Sequence, residues 1–279
     1  MNNMSCKCTS YTKGSWSTRR ACFQIWRKVE VAFWTVELEQ VGCDGRITLI
    51  LFSCLTFVLK GIWLTDLAKI VPPTVELHGC DMTSAKYPAQ ELLPPNIHMH
   101  VESVLSLPEK WTNHFDLIHQ RFLVGALRRD KWPVALSELF RTLKPGGSVQ
   151  LVENLYTCTV ESGPIKRHFE IFDKVFAAHG LVREIAIELP QFLQEAGYVD
   201  ITWEEKIVPT GNAKEWGPLA GMAAASHMRV FRDTGKLVVA GGFVGSQEEY
   251  DEITDGVERE WAEKGEHLPC RIICARKPL

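Results

Sequence analysis

The chain has 279 residues, of which 46% are hydrophobic and 23% charged, the balance of a soluble globular protein with a core of its own. A formal net charge of −3 argues against a broad nucleic-acid-binding face, which needs an excess of Lys and Arg to neutralise phosphates. The apolar run Ile47–Leu59 is well short of the roughly 20 residues a helix needs to cross a bilayer, so no membrane span is expected.

Residues 1–35 show no sustained period and read as an irregular arm, with a short helix at most around Phe23–Val31. Apolar residues at Ile62, Trp63, Leu67 and Ile70 predict a helix, stopped by Pro72-Pro73. Val75–Cys80, Ile97–Val101 and Phe115–His119 are short apolar runs of strand length. Pro133 suits the first turn of a helix that places Leu136, Leu139, Phe140 and Leu143 on one face. Pro145-Gly146-Gly147 breaks that helix and reverses the chain into a strand over Ser148–Val152. Helices follow at Ile165–His179 and Ile185–Ala196, a strand at Tyr198–Val208, an acidic amphipathic helix at Gln247–Lys264 and a closing strand at Arg271–Ala275. Between Val208 and Phe243 no diagnostic spacing emerges. Alternating strands and helices with short connectors indicate an α/β open sheet, and residues 36–279 form one domain.

Nine cysteines carry no repeated zinc spacing: Cys6 and Cys8 are too close, and Cys270 and Cys274 have no second pair. Their odd number and the lack of a secretory signal suit free thiols in a reducing compartment, the cytoplasm or the nucleus. His98 and His100 alternate on one strand face, but with no third ligand in the pattern no metal is expected.

In an open parallel sheet, ligands bind beyond the carboxyl ends of the strands, near the point where strand order reverses. Asp81, ending VELHGCD, is placed to accept hydrogen bonds from the ribose hydroxyls of a nucleoside cofactor, though an Asp there also suits a turn or a helix cap. Gly42, Cys43, Asp44 and Gly45 form a glycine-bearing turn that Arg46–Lys60 separates from Gly61-Ile62-Trp63. With that run left out the text becomes VGCDGGIWLTDLA, a turn leading straight into a helix whose N–H groups would face the cofactor. His119 and Arg121 lie at the carboxyl end of their strand, where an acceptor or cofactor would sit. His119 is the candidate general base, or else a lining or structural group. Glu153 points to the same rim and is expected to face the acceptor.

The motifs GIWLTDLA, HGCDMT, LPPNI, FDLIHQRFLVGAL and LKPGG, with EREW and ARKP near the end, resemble those of the class I methyltransferases, and among them fungal methyltransferases of secondary metabolism and their regulator-like branch. The resemblance runs from Gly61 to Leu279 and implies a Rossmann-like open, mostly parallel sheet with helices on both faces and an antiparallel last strand. It implies S-adenosylmethionine held by Gly42, Cys43, Asp44, Gly45 and Gly61. Asp81 and Met82 would lie at the ribose, Ser103 and Val104 beside the adenine, and His119 and Gln120 along the pocket. The partner it implies is a small-molecule methyl acceptor, with neither nucleic acid nor membrane involved.

Three departures stand out. Gln40 occupies the place of the acid that usually ends the first strand, Asp44 that of a glycine, and Ser103 one that is often acidic. The run Arg46–Lys60 is then either a translated intron or a real apolar insertion into the cofactor loop, the second at the cost of cofactor binding. Two functional classes follow: methyl transfer to a small molecule, or a non-catalytic, methyltransferase-like protein acting through a protein partner. A nicotinamide-dependent oxidoreductase shares the ribose acid but not the FDLIH and LKPGG context.

Overall fold

A computed structural model describes residues 48–53, 62–85, 87–158 and 160–279. Seven strands form one sheet: β1 (Thr48–Ser53), β2 (Glu76–Asp81), β3 (Ile97–Val101), β4 (Phe115–Arg121), β5 (Leu143–Asn154), β6 (Val199–Thr210) and β7 (Glu266–Arg276). Their order across the sheet is β3-β2-β1-β4-β5-β7-β6, and β7 runs antiparallel to both neighbours. This is the expected Rossmann-like architecture.

The largest difference from expectation is β1. Thr48–Ser53 lies inside the run Arg46–Lys60, which the sequence reads as an insertion into the cofactor loop or a translated intron, yet it fills the slot between β2 and β4 and pairs parallel with both. Its sequence TLILFS is what that slot requires, because parallel strands flanked on both sides read as continuous apolar runs. In the sequence, Gly42–Gly45 therefore comes before β1 instead of after it. Gly42, Cys43, Asp44, Gly45, Gly61, Gln40 and the arm 1–35 lie outside the described residues.

Helix α1 (Ile62–Ala68) covers one face, where Leu64 and Leu67 pack with Leu77, Ile97 and Leu117. On the other face α2 (Trp132–Thr142) and α4 (Ile185–Glu195) bury Leu136, Leu139, Leu189 and Leu193 against Ile118, Val149 and Leu151. Leu117 and Ile118 belong to opposite clusters because successive strand residues face opposite sides. The turn LKPGG is built for closeness: Gly146 has φ +78°, and a Cβ on Gly147 would lie 3.0 Å from the Asp116 carbonyl oxygen. Helix α4 continues through Pro190, which has no N–H to offer the Ala186 carbonyl, and Arg271 Nη1 donates to that oxygen instead at 3.2 Å.

Three more helices stand off the sheet. They are α3 (Pro164–His179), between β5 and α4, and α5 (Pro218–Ala240) and α6 (Gln247–Glu263), between β6 and β7. They share two apolar clusters, one holding Ile165, Phe231 and Trp261 and the other Ile171, Val238 and Tyr250. Helix α5 falls where the sequence shows no diagnostic spacing; Gly221, Gly235 and a run of alanines leave it little amphipathic contrast.

Candidate functional site

Strand order reverses between β1 and β4, so the crevice of this sheet opens at their carboxyl ends. Asp81, half-buried, closes β2 on one side of it, and its Oδ1 accepts from the Thr83 N–H at 3.2 Å, an Asx turn that fixes the carboxylate at the rim. Met82, beside it, is 74% exposed. Beyond β3, Ser103 makes a similar turn, its Oγ accepting from the Leu105 N–H at 3.2 Å, and Val104 packs against the core. Tyr87 ties the two strand ends together, its hydroxyl donating to the His100 carbonyl at 2.5 Å.

On the other side of the crevice, the end of β4 carries His119, Gln120 and Arg121. His119 is fully buried, and its Nδ1–H donates to Gln150 Oε1 at 2.8 Å. Burial first, then the Arg121 charge, holds its pKa down to about 3. The ring is therefore neutral at neutral pH and a weak base. Gln120 projects to the opposite face and donates to Glu153 Oε1 at 2.5 Å, so it shares no wall with His119.

Glu153 corrects an expectation. It does not face an acceptor: it is wholly enclosed, and besides Gln120 it accepts from the backbone N–H of Leu123 at 2.7 Å and of Val124 at 3.0 Å. Burial pushes its pKa up to about 7, against the pull of those three donors. Its work is to clamp the loop after β4 onto β5.

That clamped loop is one wall of a cavity of about 580 Å³. Phe122, Val124 and Gly125 contribute from the loop, Phe172 and Phe176 from α3, and Leu237 from α5, so the lining is largely apolar and aromatic. Thr234, Arg128 and His179 add polar groups, and no carboxylate lines it among the described residues. None of the wall from α3 and α5 was foreseen. Phe172 and Phe176 are spaced four apart, which in a sequence is indistinguishable from an ordinary core stripe.

The family model for the methyltransferase domain matches residues 60–147, which run from the start of α1 to the LKPGG turn. Among curated relatives, N-methyltransferase verN of Clonostachys rogersoniana is 32% identical over 157 residues, 54% of this chain and 53% of that one. N-methyltransferase sirN of Leptosphaeria maculans is 29% identical over 78% of each chain. Among solved structures, phosphoethanolamine N-methyltransferase 2 of Haemonchus contortus, in complex with S-adenosyl-L-methionine, shares the fold with a TM-score of 0.50 and 16% identity, over 87% of this chain and 51% of that one. The chain spans about half the length of verN and of the Haemonchus protein.

In fold, and over the stretch that the family model matches, the chain resembles the class I methyltransferases.

The cofactor of this class is S-adenosylmethionine, and the rim suits it where it is described. A nucleoside needs an acceptor for its ribose hydroxyls at the end of the second strand, and the half-buried carboxylate of Asp81 stands there. The chain also carries a histidine group outside the crevice. His98 Nε2 meets Glu76 at 2.6 Å, and His78 Nδ1 lies 2.9 Å from His100 Nε2. Among the described residues no group of three or more His, Cys, Asp and Glu is arranged to hold a metal ion. Among them, too, no helix is long and apolar enough to cross a membrane.

Proposed function

We propose that this methyltransferase transfers the methyl group of S-adenosylmethionine to a nitrogen of a small, largely apolar, ring-bearing molecule in specialised metabolism. The observation that carries the proposal is the apolar cavity walled by the loop after β4, at the same carboxyl rim as Asp81. In this reading Asp81 accepts from the ribose hydroxyls, Met82 lies over the nucleoside, and Ser103 and Val104 border the adenine. His119 lines the crevice as a neutral group, and Gln120 acts through Glu153, which holds the acceptor loop in place. Gly42, Cys43, Asp44, Gly45 and Gly61 remain proposals from the resemblance alone.

Bound S-adenosylmethionine supplies a methyl group already activated by its sulfonium. What the chain must add is alignment and dryness. Holding two reactants in line and out of water is worth up to roughly 7–11 kcal/mol of a barrier. The aromatic walls from α3 and the loop offer the acceptor an apolar surface, and the Glu153 clamp fixes the loop that orients it. Nitrogen is favoured because verN and sirN are both named as N-methyltransferases. It also asks less of the site: a neutral amine attacks through its lone pair without prior deprotonation, whereas a hydroxyl needs a base. The described lining holds no carboxylate; its one imidazole, His179, donates Nδ1–H to the Val175 carbonyl at 2.8 Å and keeps Nε2 as an acceptor, so the choice of nitrogen rests on the relatives.

The test is transfer of labelled methyl from S-adenosylmethionine to a panel of apolar cyclic amines matched with the corresponding alcohols. Labelled amines and unlabelled alcohols are expected, and labelled alcohols alone would overturn the assignment to nitrogen.

A second reading rests on one observation. The connection from β1 to α1, residues 54–61, reads CLTFVLKG and contains a single glycine. A non-catalytic methyltransferase-like protein acting through a partner is therefore the alternative. Calorimetry with S-adenosylmethionine separates the two: a folded chain that takes up no cofactor supports the alternative.

A further inference from the structure

Arg121 is the last residue of β4 and pairs in register with Ser53 on β1 and Val152 on β5, which sets it at the strand-order reversal itself. The parallel register of β1 with β2 runs through Phe52 and Cys80, so Asp81 and Arg121 end their strands at one level, on either side of β1. Two inter-strand spacings separate them, about 10 Å. Along β4 the side chain of Arg121 alternates with Gln120 and falls on the same face as Leu117 and His119, the face that α1 covers.

The residue is half-buried, but its Nε is shut off from solvent and has no hydrogen-bond partner. Burial alone draws its pKa down to about 10, and among the described residues no carboxylate answers its charge. Its neighbours cannot do so. His119 is neutral, and the Phe122 ring, 6.0 Å away, offers only its face. A buried cation without a counter-charge is destabilising, and proteins ordinarily pair such groups or use them for a ligand. Guanidinium matches a carboxylate with two parallel hydrogen bonds.

We propose that Arg121 receives the amino-acid carboxylate of S-adenosylmethionine, so that Asp81 and Arg121 hold the cofactor on either side of its sulfonium, across the end of β1. The proposal rests on the methyltransferase reading above and adds the residue that anchors the amino-acid end. Ribose and carboxylate lie on either side of the sulfonium, with the adenine beyond the ribose. Fixing both therefore places the methyl group without any direct contact to it. Arg121 is thus a cofactor-binding residue whose effect on the reaction is positional.

The experiment compares S-adenosylmethionine with its decarboxylated form, which keeps the nucleoside, the sulfonium and the amine, by calorimetry on the full chain and on Arg121→Gln and Arg121→Lys. In the wild type the carboxylate is expected to tighten binding on the order of 10- to 100-fold. Arg121→Gln should lose that factor for S-adenosylmethionine and leave the decarboxylated form unchanged, while Arg121→Lys recovers part of it. The melting temperature of the ligand-free chain should hold or rise in Arg121→Gln, since an uncompensated charge is removed; a structural arginine would lower it. Equal weakening of both ligands, or a lowered melting temperature with both affinities intact, overturns the proposal. So does unchanged cofactor binding with weakened binding of an acidic acceptor, which would assign the guanidinium to the acceptor's carboxylate. If the wild type binds the two ligands equally, the proposal alone fails. If it binds neither, the methyltransferase reading fails with it.

Discussion

The two halves of the sheet are built to different standards. From β4 onward the strands carry α2 and α4 on one face and support α3, α5 and α6 above the rim, with large side chains such as Trp132, Trp261 and Tyr250 fully buried. Among the described residues, the half from β1 to β3 has one short helix, α1, and its connections between β2 and β4 are turns and single 3₁₀ segments, Gln90–Leu92 and Glu109–Trp111. The first half holds polar groups at turns, where few neighbours depend on them. The second half encloses a cavity whose shape depends on everything packed around it. Substitutions should accordingly change cofactor binding with little cost in stability in the first half, and couple stability to acceptor selection in the second.

The sharpest test of the first half is Asp81→Ala. Two charge-assisted hydrogen bonds to a ribose are worth about 1.5–3 kcal/mol each, so cofactor affinity should fall at least about 100-fold. The change removes the acceptor of the Thr83 N–H at a half-buried turn, so the melting curve should move little. Calorimetry beside thermal unfolding checks both. A large drop in melting temperature would mean that the half is not as loosely coupled as its turns suggest.

In the second half, Glu153 should show the opposite behaviour. Its folded pKa of about 7 stands above the ordinary glutamate value of 4.5, so the folded state holds the proton more firmly than the unfolded chain. The stability this confers is fully present below the unfolded value and is lost as pH rises through about 7. A shift of that size corresponds to up to about 3 kcal/mol. In Glu153→Gln the term vanishes, and Gln120 can turn its amide to offer Oε1, which is buried and unpartnered in the wild type. The stability of the wild type relative to this variant should therefore decline between pH 5 and pH 8, measured by urea unfolding at each pH. Acceptor KM should rise as the loop at residues 122–124 loosens. A flat difference across that range would show that Glu153 is ionised in the fold at all these pH values.

Gly125 offers a way to change the cavity while sparing the core. A Cβ built there meets nothing within 4 Å, and the glycine lines the cavity. Gly125→Phe should therefore fold normally, raise acceptor KM about tenfold, which is about 1.4 kcal/mol, and leave cofactor affinity unchanged. Steady-state kinetics with the best amine of the panel decides it. An unaltered KM would place the acceptor elsewhere.

How much of this could be seen in the sequence follows the same division. Strand β3 occurs as expected at Ile97–Val101, and α2 begins one residue before Pro133, because strand-length apolar runs, Pro and paired Gly act locally. The place of Asp81 at the end of β2 was visible because the largely apolar run VELHGC stops there. The apolar run around TLILFS was misread for a physical reason: its composition suits an insertion as well as a central strand, and only pairing with β2 and β4 distinguishes them. The cavity was invisible since it needs α3 and α5, far apart in sequence, to meet the loop after β4. The role of Glu153 was hidden likewise, because enclosure by Gln120, Leu123 and Val124 is a tertiary fact.

The smallest expected effect bounds the comparison from the other side. Helix α6 opens with Ser246-Gln247-Glu248-Glu249, in which Ser246 Oγ accepts from the Glu249 N–H at 3.2 Å and Glu249 Oε2 accepts from the Gly245 N–H at 2.8 Å. Ser246→Ala should cost about 1 kcal/mol of stability, the usual worth of an N-cap. The helix packs through Tyr250 against Val175 and Val238, residues that also line the cavity, so the variant tests whether loosening the outer layer reaches the inner wall. Fraying confined to the first turn leaves Tyr250, one turn further on, in place, and acceptor KM should then stay at the wild-type value. A KM that rises with this modest destabilisation would show that α3, α5 and α6 move as one cooperative unit, whose packing sets the cavity as much as its lining does.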